Sequence, residues 1–223
     1  MAELSDDALL LRRIPYGETS LICQFLTAKH GRISLMVRGG RRPKSPFRAA
    51  LSPLFMLHIH WYTGRTGMGT LVDIVRNGGL LGESKTLAGL ELQALASRIF
   101  QEGESHGYAE LYAGFKWLNE RDEIIGLPSA VWMLLMDAGW LGEMSSCWHC
   151  GEKGAQMMYW HQAELLCGEC GTGLEVSNGL RRSIEATLTG SYIRFSAQDL
   201  QCWKQMIGMT LKAHHIKVSD SFC

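Results

Sequence analysis

Apolar and polar positions alternate with a strand's period over much of residues 8–75. Residues 8–14 are a short apolar run that ends at Pro15-Tyr16-Gly17-Glu18, a turn signal. Residues 19–27 resume with Leu21, Cys23 and Phe25 on one parity, and Lys29-His30-Gly31 turns the chain again. Across 32–38, Ile33, Leu35 and Val37 face one way and Arg32, Ser34, Met36 and Arg38 the other, the pattern of a half-buried strand. Residues 39–48 are too rich in Gly and Pro for an element interior. Alternation returns with Phe55, Leu57, Ile59 and Trp61 inward and His58, His60 and Tyr62 outward. A glycine loop at 63–67 leads to a last strand at 69–75.

At Asn77-Gly78-Gly79 the period changes to that of helices. From Glu83 onward Leu87, Leu90, Leu92, Leu95, Ile99 and Phe100 recur at steps of three and four. A second helix is expected over 108–120, with Leu111, Phe115 and Leu118 on its apolar face. Pro128 is placed to start a third, over 129–138 and stopping before Gly139. Residues 157–160 and 164–166 suit a small hairpin. Ser177 and Ser196 suit N-caps of helices reaching about 188 and 214. The pattern therefore predicts an α+β chain of two domains. Residues 1–78 suit a small five-stranded barrel, of the OB (oligonucleotide-binding) type first and an SH3-like type as the alternative. Residues 79–223 are helical, with a cysteine module at 145–173 inserted.

Length and composition permit this. The chain has 223 residues, 46% of them hydrophobic, enough for genuine cores. No apolar run reaches eighteen residues and the first residues are acidic, so neither a membrane span nor a signal peptide is expected. The seven cysteines point to a reducing cytoplasm, with Cys23, Cys202 and Cys223 as free thiols. The net charge of zero conceals a division. Residues 1–78 hold eleven Lys/Arg against five Asp/Glu, net +6, and the remainder is −6. A basic first part suits a polyanion partner.

The other four cysteines form Cys147-Trp-His-Cys150 and Cys167-Gly-Glu-Cys170, two Cys-x-x-Cys knuckles sixteen residues apart. That spacing fits a closed, structural four-thiolate zinc site. Gly151 and Gly171 follow each knuckle where the chain must turn. Redox or disulfide pairs are the alternative, and His149 or His161 could stand in for a cysteine.

Between Lys29 and Arg48 lie seven cations (Lys29, Arg32, Arg38, Arg41, Arg42, Lys44 and Arg48) and no acid. Such a cluster on a barrel strand and loop suits a phosphate backbone, and the glycines would let main-chain N–H groups approach an anion. Tyr62, with His58 and His60, is the candidate for stacking unpaired bases. Trp61 shares parity with the core. There is no nucleotide P-loop, no Gly-x-Ser-x-Gly, no His-Glu-x-x-His and no dinucleotide fingerprint. Glu102, Glu104, Asp122 and Glu123 read as solvated helix ends. A binding protein is expected, not an enzyme. The alternative is a zinc-stabilised protein-interaction adaptor without direct DNA binding.

The run Tyr16-Gly17-Glu18-Thr19-Ser20, Phe25-Leu26-Thr27 and His30-Gly31-Arg32-Ile33-Ser34-Leu35 resembles the opening of the bacterial RecO family. So do Arg38-Gly39-Gly40-Arg41-Arg42-Pro43-Lys44-Ser45, Ala49-Ala50-Leu51-Ser52-Pro53-Leu54, and Asp137-Ala138-Gly139-Trp140 before the first knuckle. The resemblance implies an OB barrel followed by a helical domain with a zinc module. It further implies a recombination mediator that binds single- and double-stranded DNA and anneals complementary strands. Its partners would be RecR and single-stranded-DNA-binding protein (SSB), in helping RecA to load. Arg38, Arg41, Arg42 and Lys44 would then contact the DNA backbone, and the four cysteines would ligate zinc.

Overall fold

A computed structural model describes residues 2–64, 67–103 and 106–222. Arg65, Thr66, Glu104 and Cys223, which the sequence reading assigned to a loop, a helix end and a free thiol, lie outside the described residues. The chain is α+β and divides into two compact units, Met1–Glu123 and Ile124–Cys223.

In the first unit, β1 (Glu3–Tyr16), β2 (Ser20–Thr27), β3 (Gly31–Val37), β4 (Phe55–Tyr62) and β5 (Gly69–Gly79) close a barrel in the order β1-β2-β3-β5-β4. The expected parities hold. Cys23, Phe25, Leu35, Val37, Leu57, Ile59 and Trp61 are buried in one core, with Leu21, Ile33 and Phe55 packed against it. β1 begins five residues earlier than expected, because Ser5, Asp6 and Asp7 are drawn into register with His60, Ile59 and His58 of β4. Asp6 is buried there and accepts from Lys29 N–H (2.7 Å) and faces His30 Nδ1 (3.1 Å). The Pro/Gly-rich stretch also holds one helical turn, α1 (Phe47–Ala50), whose Phe47 and following Leu51 pack into the barrel core.

After a 3-10 turn, α2 (Thr86–Ile99) and α3 (Tyr108–Glu120) complete the unit. The buried stripe of α2 is Ala88, Leu92, Leu95, Ala96 and Ile99. Leu87, expected inside, is 80% exposed, and Leu90 is exposed too. The buried Gln93 donates to Leu11 O at 3.2 Å and so fixes which face of α2 meets β1. In α3 the expected Leu111, Phe115 and Leu118 are buried.

The second unit contains α4 (Glu123–Asp137), β6 (Met157–His161), β7 (Glu164–Leu166), β8 (Leu174–Ser177), α5 (Asn178–Leu188) and α6 (Ala197–Ala213). Pro128 lies inside α4 rather than at its start. The hairpin β6–β7 gains β8 as a third strand on the other side of β6. Ser177 and Ser196 cap α5 and α6 as expected, accepting from Leu180 N–H and Asp199 N–H at 3.0 Å each. Trp132 of α4, Trp160 of β6 and Trp203 of α6 are fully buried, with Trp132 5.8 and 6.1 Å from the other two. Each buries some 150–250 Å², worth about 4–6 kcal/mol. Among the described residues no helix is long and apolar enough to cross a membrane.

Candidate nucleic-acid interface and metal centre

The loop after β3 is folded rather than extended. Gly39 takes a φ of +68°, which costs a glycine nothing. The chain then turns back onto the β1–β2 connection. Arg41 N–H donates to Thr19 O (2.8 Å), and its Nη1 donates to Gly17 O (2.9 Å). Gly40 N–H goes to Val37 O, Arg42 N–H to Gly39 O, Ser45 N–H to Arg42 O and Arg48 N–H to Ser45 O. Gly40, one of the glycines whose N–H was expected to approach an anion, is buried and spends that N–H on Val37 O.

The basic side chains are well presented. Arg38, Arg41, Arg42, Lys44 and Arg48 are all exposed. Among the described residues, Arg38, Arg42, Lys44 and Arg48 have no side-chain hydrogen bond or ion pair. Arg32 is different. It is half-buried on β3, with Nη1 donating to Ser97 O (2.9 Å) and Phe100 O and Nη2 to Gln24 Oε1 (3.1 Å). It ties β3 to the last carbonyls of α2 and is turned away from solvent anions. Ser34 beside it donates to Glu102, which bridges to the edge of β3.

Tyr62 is 39% exposed and ends β4 opposite Thr70 of β5, which pairs in turn with Met36 of β3. Its surroundings are acidic, for it stands opposite Glu3. His60 faces Glu3 at 3.6 Å and His58 faces Asp7 at 2.8 Å. That face is a row of carboxylate–histidine pairs, poorly suited to phosphate. Two residues to which the sequence reading gave no binding role adjoin the basic loop. Arg13 of β1 donates to Leu51 O (2.9 Å), and Tyr16, 55% exposed, closes β1 next to the Gly17 carbonyl that holds Arg41. Their signal was the pair Arg12-Arg13 at the end of an apolar strand, followed by Pro-Tyr-Gly.

In the second unit the sulfurs of Cys147, Cys150, Cys167 and Cys170 all lie within 4.8 Å of one another, with Cys150 and Cys167 3.6 Å apart. A tetrahedral zinc with bonds of about 2.3 Å requires sulfurs about 3.8 Å apart, so the set fits. The knuckles are built alike, with Gly151 N–H donating to Cys147 O (2.9 Å) and Gly171 N–H to Cys167 O (3.1 Å). Gly151 needs its φ of +77°, whereas a Cβ at Gly171 would lie 2.6 Å from Leu166 Cδ1. Trp148 N–H to Leu165 O (2.8 Å) joins the first knuckle to β7. His149 and His161 are exposed and stand outside the cluster.

Burial opposes ionising Cys147, but the backbone N–H groups of Cys150, Cys167 and His149 outweigh it and bring its thiol down to about 6. Cys170, hydrogen-bonded to Cys150 and Cys167, is pushed up to about 12. Away from the cluster, burial raises Cys23 to about 12 and Cys202 to about 11, as expected of inert thiols. One further residue supports the module. Arg181 of α5 is 2% exposed and donates to Met144 O (2.9 Å) and Ala155 O (2.5 Å), clamping the chain on both sides of the first knuckle.

A barrel with a cationic loop, followed by a unit that carries a four-thiol cluster, defines a two-unit α+β protein that can hold a metal ion. The Recombination protein O N-terminal family model matches residues 1–76, and the Recombination protein O C-terminal model matches residues 84–215. The chain belongs to the RecO family. It is 36% identical over 101 residues to the DNA repair protein RecO of Laribacter hongkongensis, a match covering 44% of this chain and 41% of that protein. With the protein of the same name from Glaesserella parasuis it shares 34% over 116 residues, 50% and 46% of the two chains. These alignments span less than half of either relative's length.

Proposed function

We propose that this chain is a non-enzymatic DNA repair and recombination mediator that binds single- and double-stranded DNA through the loop after β3 and promotes annealing. The observation that carries this reading is the set Arg38, Arg42, Lys44 and Arg48, exposed on the segment between β3 and β4 with no side-chain partner among the described residues. Arg41 supports the loop while keeping most of its guanidinium N–H groups for phosphate. Binding two strands through their phosphates reduces their repulsion and leaves the base edges free to pair. The strand order 1-2-3-5-4 supports reading the barrel as OB-type. The ends of the two matched family models, at 76 and 84, support a functional division into 1–78 and 79–223.

On this reading the four cysteines hold one structural zinc, whose coordination leaves no position for substrate. The working partners are DNA, RecR and SSB, with RecA acting downstream, in the cytoplasm and on the nucleoid. Arg32 serves the fold, and Tyr62 contributes little because its face is acidic. The test is a gel-shift titration with single-stranded DNA over a series of salt concentrations. Tight, salt-sensitive binding is the expected result. No binding at low salt would instead indicate a protein-interaction adaptor.

A further inference from the structure

We infer that the lip of the barrel beside the basic loop holds one unstacked nucleotide of a bound single strand, a role that rests on the DNA-binding reading above. A cavity of about 400 Å³ is lined there by Arg13, Pro15, Leu21, Gly40, Arg41 and Arg48. Its size falls within the roughly 300–1,000 Å³ of ligand pockets.

Three features select the ligand. The first is charge: three guanidinium groups line the cavity and no carboxylate does. Arg13 and Arg41 are each anchored by one hydrogen bond to a backbone carbonyl, at 2.9 Å, so they are oriented while retaining N–H groups to donate. The second is the floor. Pro15 and Leu21 are paired across β1 and β2 and offer an apolar surface without side-chain hydrogen-bonding groups. A bare phosphate gains nothing from such a floor, whereas a nucleotide lays its base there and its phosphate on the arginines. The third is the absence of sequence readout. With the N–H groups of Gly40, Arg41 and Arg48 bonded within the protein and no side-chain amide or hydroxyl lining the cavity, any base is accepted, as suits a protein that handles strands of every sequence.

The experiment compares two labelled probes of equal length and charge by fluorescence anisotropy at fixed salt, an oligothymidine and its abasic sugar-phosphate counterpart. Wild-type protein should bind the thymidine probe at least about fivefold more tightly. Pro15→Ser replaces the apolar ring of the floor with a small polar side chain without changing charge. It should reduce that preference to about twofold or less and leave affinity for the abasic probe unchanged. Arg48→Gln should weaken both probes by about fivefold at 0.1 M salt. Equal affinity of wild type for the two probes, or a preference undiminished in Pro15→Ser, would overturn the pocket while leaving DNA binding intact. Failure of either probe to bind would overturn the DNA reading and the pocket together. Displacement of the thymidine probe by a blocked Asp-Leu-Asp-Leu peptide from wild type but not from Pro15→Ser would reassign the cavity to an acidic protein segment.

Discussion

Replacing Arg38, Arg42 and Lys44 together with alanine isolates the phosphate contacts from the fold. All three are exposed, and among the described residues their side chains bond to nothing. Stability should therefore change by no more than about 0.5 kcal/mol per site. DNA affinity should change greatly. Each phosphate neutralised on a single strand contributes about 0.7 to the slope of log affinity against log salt. Three lost contacts make that slope shallower by about 2 and weaken binding roughly a hundredfold at 0.1 M salt. Arg41 is left in place because its Nη1 also holds Gly17 O, so its removal would mix loop disorder with charge loss. The assay is anisotropy with a labelled oligonucleotide at five or six salt concentrations. Arg38→Lys with Arg42→Lys serves as the control and should keep the slope. A triple variant that stays folded with an unchanged slope would refute the assignment of the loop.

Other expectations follow from the same geometry. Cys147→Ser should leave the zinc site one thiolate short and lower the melting temperature of the second unit by more than about 5 °C, with DNA affinity nearly unchanged. Cys150 and Cys170 are both raised above the ordinary thiol range in the metal-free protein, so each must release a proton to bind zinc. Zinc affinity should therefore fall as pH falls, at least about a hundredfold from pH 8 to pH 7 in a chelator competition. Arg181→Ala strips two carbonyls of their donor and should cost about 2–5 kcal/mol in denaturant unfolding, with Arg181→Lys recovering less than half. Gly40→Ala places a Cβ 3.0 Å from Val37 Cγ1 and 3.1 Å from Leu21 Cδ1. It should destabilise the first unit by about 1–3 kcal/mol.

The barrel was legible because a period of two leaves little choice. Once Leu57, Ile59 and Trp61 go inside, His58, His60 and Tyr62 must go outside, and both sets do. The beginning of β1 was not legible, because Ser5-Asp6-Asp7 has poor strand propensity. It is held as strand by its β4 partners and by the buried hydrogen bonds of Asp6, which are long-range facts. The stripe on α2 was misjudged for a related reason. Leu87 and Leu90 fit a helical period, but the buried Gln93 bond to Leu11 O accompanies a rotation that leaves them in solvent.

At the candidate sites, local spacing was enough for the cysteines. Both knuckles lie in one module, and their four sulfurs come together. Charge alone could not sort the arginines. Arg32 and Arg38 share a parity in the sequence pattern, yet β3 ends at Val37, and one caps the end of α2 while the other projects into solvent. Arg13, thirty-eight residues from the Leu51 carbonyl it holds, reaches the same lip only through closure of the barrel.

The most direct test of the central claim is the rate at which this protein anneals complementary oligonucleotides coated with SSB. Acceleration that depends on Arg38, Arg42 and Lys44 but survives Cys147→Ser is the expected result. An annealing rate no faster than with SSB alone, from folded, zinc-loaded protein, would contradict the account.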